Sequence, residues 1–200
     1  MPRNAANPAR RKAKQARAQA SVAAVLEAAA RVLLSSGYAA ATTNRIAEVA
    51  GVSVGTLYQY FADKDEVFDL LIQRELEATA RVLDAAQVDP ARPLEATLRQ
   101  VFDAVRSLQP RAPELYRQLE HVPNALLRKR VAERNVRVVA FVRRLLEAHR
   151  SELRVDDLDL AAFLVVHATE GVALNAGPEL FGERLTAELA RLFTRYLLGR

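Results

Sequence analysis

From Val22 onward the apolar residues of this chain return every three or four positions, segment after segment, and nowhere do they alternate over the length of a strand. That spacing belongs to helices buried along one face and excludes half-buried strands. Only 7 Gly and 8 Pro interrupt it in 200 residues, and the stretches between are rich in Ala, Leu, Glu and Arg, which favour helix intrinsically. The fold class expected is therefore all-α. At 50% hydrophobic residues the chain can bury one sizeable core with a small module attached.

Residues 1–17 are basic and Ala-rich, contain Pro2 and Pro8, and lack an apolar face; they read as a flexible arm that turns helical toward its end. A first helix of about four turns follows, built on Val22, Val25, Leu26, Ala29, Val32 and Leu33 and stopped by Gly37. Thr42 or Thr43 can cap a short second helix with Ile46, Val49 and Ala50 inward, and Gly51 ends it. Ser53 can cap a third, with Val54, Leu57 and Phe61 inward. Two short helices joined by a tight Gly-containing turn form a helix-turn-helix.

Asp63-Lys64-Asp65-Glu66 opens a fourth helix running to about Ala86, its acidic residues at the positive end of the helix dipole. Helices over 94–108, 114–120 and about 124–150 follow, separated by prolines, and 151–156 reads as a turn. The last two helices span 157–174 and 179–198. Three segments result: the arm 1–17, a helix-turn-helix domain 18–64, and a helical body 65–200.

Charge follows the same division. Residues 1–64 hold nine Lys and Arg against three acidic groups, a net of +6, while the remainder stands at −1. Positive potential confined to one end marks a polyanion-binding module joined to a near-neutral body, unless the arm is a solubilising tail. The absence of Cys excludes disulfides, thiolate metal sites and cysteine catalysis, and agrees with a cytoplasmic setting. No signal-peptide pattern is seen, and no run approaches the ~20 apolar residues a membrane helix requires.

The string Gly37-Tyr38, Thr42-Thr43-Asn44-Arg45-Ile46-Ala47, Gly51-Val52-Ser53-Val54-Gly55-Thr56-Leu57-Tyr58-Gln59-Tyr60-Phe61 and Lys64 resembles the TetR family signature. The resemblance implies a homodimer with three DNA-binding helices and a larger ligand-responsive body. In a helix-turn-helix the second short helix enters the major groove while hydroxyls and cations around it grip phosphates. Thr43, Ser53, Tyr58 and Lys64 are the expected phosphate contacts on double-stranded DNA. Asn44, Arg45, Thr56, Gln59 and Tyr60 are the candidates for the groove face, since amide and guanidinium groups read base edges. Gly55 would let the recognition helix approach the duplex closely. For Tyr58 and Tyr60 the competing role is packing against neighbouring helices.

Other chemistry is poorly supported. Gly51-Val52-Ser53-Val54-Gly55 fits the spacing of a hydrolase nucleophile elbow, but a helix precedes the Ser where that chemistry needs a strand. His121, His149 and His167 form no metal-ligand cluster by spacing, and no Gly-rich phosphate loop occurs, so neither catalysis, metal nor cofactor is expected.

Two roles remain open for the body: a small-molecule effector shifts a dimeric repressor away from a palindromic operator, or an architectural protein uses the body for dimerisation and partner contacts alone. In the first case the helices over 94–150 would line a pocket. Phe102, Arg106, Tyr116, His121, Arg137, Phe141, His167 and Glu170 would then combine an apolar cavity with polar anchors. Dimerisation is expected through the last two helices, whose apolar surfaces could instead be buried within one chain.

Overall fold

The computed structural model describes residues 8–86, 88–108, 114, 115, 117, 118, 125–176, 180 and 182–199. Its elements are all helical: α1 (Pro8–Ala40), α2 (Thr43–Ala50), α3 (Val54–Tyr58), α4 (Lys64–Ala85), α5 (Leu94–Leu108), α6 (Ala125–Ala148), α7 (Leu158–Asn175) and α8 (Glu183–Leu198). Glu114, Leu115, Arg117 and Gln118 are helical as well. The chain divides into two compact units, Met1–Leu71 and Ile72–Arg200.

In the first unit α1 starts at Pro8, inside the segment the sequence sets apart as an arm. Proline is well suited to a first helical position, and the Ala, Lys, Arg and Gln that follow are strong helix formers, so propensity extends the helix without an apolar face. Gly37, at φ 75° and ψ 168°, breaks the helical path near the end of α1. The Thr42 hydroxyl caps α2 by accepting the Arg45 N–H at 3.2 Å. At its other end Gly51 turns left-handed at φ 69°, its N–H bonds Glu48 O at 3.1 Å, and Val52 N–H returns to Ala47 O at 3.1 Å. That pair of bonds is a Schellman termination, which a residue without Cβ adopts at least cost.

Ser53 caps α3 through the Thr56 N–H at 3.0 Å. The Asp63 carboxylate accepts Glu66 N–H at 2.9 Å, satisfying an orphan donor of α4, while the Glu66 carboxylate reaches back to accept the N–H of Ala62 before the cap at 2.6 Å. Ile46, Ala47, Leu57, Phe61, Val67 and Phe68 are buried with Val25, Ala29 and Leu33 of α1. Val54, expected to face inward, is 37% exposed at the first position of α3, so it is only partly covered.

In the second unit α5 packs on α8, α6 packs on α7, and α7 touches α8. Leu83, Leu98, Leu145, Val165, Phe193 and Leu197 stand for its continuous core, each such side chain stabilising the fold by about 1.5–3 kcal/mol. Asp157 caps α7 by accepting the N–H groups of Asp159 and Leu160, both at 2.9 Å. Arg154 N–H donates to Leu197 O at 2.8 Å and ties the turn after α6 to the end of α8.

Candidate functional site

The helix-turn-helix is held by contacts that also position its polar surface. Thr43 at the start of α2 lies 3.1 Å from the Tyr58 hydroxyl at the end of α3, so the two short helices are tied together at their outer ends. Tyr58 remains 53% exposed and Tyr60 is half-buried. Asn44, Arg45, Ser53, Gly55 and Gln59 are exposed, and Thr56 is half-buried with its hydroxyl 2.8 Å from that of Ser53. Arg45 pairs with Glu48 at 2.7 Å, an exposed bond that a phosphate or base edge can displace.

Lys64 is half-buried; its ammonium donates to Tyr38 O at 3.0 Å and stands 4.2 Å from the centre of the Tyr38 ring. Tyr38 in turn donates its hydroxyl to Asp65 and tilts against Phe68 at 5.3 Å. Lys64 therefore braces the start of α4 with one of its three donors. Arg31, which sequence reasoning passes over, donates to Val49 O at 3.2 Å and links α1 to α2. Farther back on α1, Lys12, Lys14 and Arg17 are exposed.

The second unit contains a cavity of about 180 Å³ to which α4 through α8 all contribute. Its lining is apolar for the most part, as Val101, Phe102, Phe141, Val165 and Leu189 illustrate. Of the residues expected there, Phe102, Arg106, Phe141 and Glu170 line it. Arg106 lies 3.6 Å from Asp103 and 3.9 Å from Glu183, and its Nε is buried with no hydrogen-bond partner. Glu170 accepts the Asn135 amide at 2.9 Å and has His167 Nδ1 at 3.4 Å.

His167 is half-buried, with its ring 4.2 Å from that of Phe163. Arg137 lines a second recess of about 160 Å³, with Gln73, Glu77 and Glu133. Tyr116 and His121 lie outside the described residues. Asn135 and Thr169 also line the main cavity and escape the sequence reading; each falls at helical spacing within an otherwise apolar stripe, the one signal that marks them. Among the described residues no group of three or more His, Asp or Glu is placed to hold a metal ion.

The last two helices divide their apolar residues between two faces. Leu158, Val166, Leu189 and Phe193 are buried, whereas Leu160, Phe163 and Leu192 are 53%, 50% and 58% exposed, with Leu164 and Tyr196 exposed beside them. By length and composition α7 and the stretch Lys12–Ala40 come closer to a membrane span than the sequence reading allows. Asp159 and Glu170 in α7, and Arg17, Glu27 and Arg31 in α1, would then lie along a hydrocarbon-embedded helix, where ionisable groups are costly.

Residues 25–71 match the model of bacterial regulatory proteins of the tetR family, and residues 93–197 match that of the tetracyclin repressor-like C-terminal domain. The chain is 31% identical over 81 residues to the uncharacterized HTH-type transcriptional regulator YhgD of Bacillus subtilis, covering 40% of this chain and 42% of that protein. It is 32% identical over 92 residues to the HTH-type transcriptional regulator BetI of Paraburkholderia phytofirmans, covering 44% and 47%. These alignments span less than half the length of either relative. A solved transcriptional regulator from Rhodococcus sp. Rha1 shares the fold with a TM-score of 0.72 at 20% identity, over 89% of this chain and 96% of that one.

Proposed function

The chain belongs to the tetR family of bacterial regulatory proteins, and from that premise we propose that it is a cytoplasmic, dimeric repressor released from a palindromic operator by a small molecule. The observation that carries the ligand-gated part is the apolar cavity of about 180 Å³ in the second unit, which a body serving only dimerisation has no need to keep open.

Thr43, Ser53, Tyr58 and Lys64 hold phosphates in this reading, and Asn44, Arg45, Gly55, Thr56, Gln59 and Tyr60 meet the groove. The exposed faces of α7 and α8 join two copies, as apolar helix pairs do in four-helix bundles. Two-fold symmetry then sets the recognition helices about one DNA turn or more apart, ~34–36 Å for one turn, and requires an inverted-repeat site. The effector acts by differential affinity for two dimer geometries, only one of which fits the operator.

Selection of duplexes from a random pool by the purified protein tests the reading. Recovery of an inverted repeat that Gln59→Ala no longer prefers supports it, as does its release by a compound that raises the melting temperature. Weak binding of equal strength to every duplex would reject sequence reading and leave an architectural role.

A further inference from the structure

Among the polar groups that line the cavity, Arg106 is the least satisfied. A guanidinium carries five N–H donors. Its side chain is only 23% exposed, yet among the described residues its partners are two carboxylates at ion-pair distances of 3.6 and 3.9 Å, beyond good hydrogen-bond length. Its Nε is buried with no acceptor.

Neither carboxylate is well placed to improve this. The Asp103 oxygen nearer Arg106 already accepts the Thr186 hydroxyl at 2.6 Å, and the other faces Arg99 at 3.7 Å. Glu183 is 79% exposed, where solvent screens the pair. Glu170, the acidic residue of the lining, is engaged by Asn135 and His167. A mostly buried cation with an unpaired Nε and only long ion-pair contacts, beside an apolar chamber, fits a ligand that brings one anionic acceptor and an apolar body.

We propose that the cavity takes a monocarboxylic acid and that Arg106 recognises its carboxylate. The inference rests on the ligand-gated reading above and names the ligand class. One guanidinium matches a singly charged planar carboxylate in a forked geometry, whereas a phosphate dianion would stand under-neutralised with Asp103 and Glu183 close by. Arrival of the acid displaces the loose Glu183 contact, and that exposed side chain returns to water. An engineered apolar cavity of about 150 Å³ holds benzene, so the space here suits an apolar body of roughly six to ten carbons. Straight-chain and arylalkanoic acids share that description.

The test is calorimetric titration of the full chain with octanoate, 3-phenylpropanoate, 1-octanol and octylamine, each also assayed for release of selected operator DNA. At least one acid is expected to bind and release DNA, and the comparison of the two acids separates chain from ring. Arg106→Met should weaken the acid by roughly 10- to 100-fold and leave 1-octanol within about 3-fold of its wild-type affinity. Arg106→Lys should fall between, and it serves alone if the Met variant does not fold. Binding and DNA release by octanol or octylamine but by neither acid would overturn the carboxylate inference and leave ligand gating intact. Acid binding unaffected by either Arg106 variant would overturn it too. Silence from all four compounds rejects the acid, while release of the operator by any other compound that raises the melting temperature would keep ligand gating.

Discussion

The Tyr58 hydroxyl lies 3.1 Å from the Thr43 hydroxyl, joining the first residue of α2 to the last of α3. Each group can turn from the other to a phosphate oxygen, because an O–H rotates at little cost and Tyr58 is 53% exposed. Tyr58→Phe removes the hydroxyl and keeps the ring. Stability measured by urea unfolding should change by less than about 0.5 kcal/mol, as at exposed sites generally. Affinity should fall by roughly 5- to 10-fold, for specific and scrambled duplexes alike, since a phosphate contact carries no sequence information. A loss confined to the specific duplex would put Tyr58 in the groove instead.

Gly51 and Gly55 separate conformational need from close approach. A Cβ on Gly51 would meet nothing within 4 Å, yet its φ of +69° is strained for any other residue, so Gly51→Ala should cost about 1–2 kcal/mol by urea unfolding. Gly55 lies inside α3 with only Ser53 Oγ at 3.8 Å from an added Cβ. Gly55→Ala should therefore stabilise the fold by about 0.5–1 kcal/mol. If the helix surface presses on the duplex at this point, the same change weakens DNA binding by roughly 10-fold or more while stability rises. Unchanged affinity would reduce Gly55 to a tolerated weak helix former.

The contrast between these two glycines shows where sequence reasoning reaches. Caps and stops are local chemistry, so Thr42, Ser53 and Gly51 can be read directly from the string. Val54 is less covered than its apolar character suggests, at the start of a short helix immediately after the cap. Helix is expected only toward the end of the arm, whereas α1 reaches back to Pro8, where propensity suffices without an apolar face. The cavity is harder. Thr186 and Asp103 meet across 83 residues, and no periodicity reveals such a pair. Arg106, Phe102, Phe141 and Glu170 are reached by residue type, but Arg137 belongs to a neighbouring recess because adjacent faces of α6 differ by a fraction of a turn.

The exposed apolar face of the last two helices predicts the behaviour of charged replacements. Phe163→Glu combined with Leu192→Glu places carboxylates where the side chains are 50% and 58% exposed, so the single chain tolerates them. Light scattering should report a monomer where the parent is a dimer, and affinity for the inverted repeat should fall by about 100-fold or more as two linked half-site interactions become one. Val136, 71% exposed on α6, is the control: Val136→Lys should alter neither mass nor DNA affinity. A dimer that survives the double replacement would place the interface elsewhere.

The beginning of α1 presents Lys12, Lys14 and Arg17 to solvent. Replacing the three with Gln keeps helix propensity and removes charge, so any effect on DNA binding is electrostatic and not a consequence of unfolding. Removing one cation that neutralises a phosphate should reduce the slope of log affinity against log salt by about 0.9, or about 2 to 3 overall if all three engage the duplex. Because phosphates carry no sequence information, the change should be the same for the inverted repeat and for scrambled DNA. An unchanged slope would mean that these cations only solubilise the helix. The net +6 of residues 1–64 would then act through Arg31, Arg45, Lys64 and the remaining arginines ahead of Lys12.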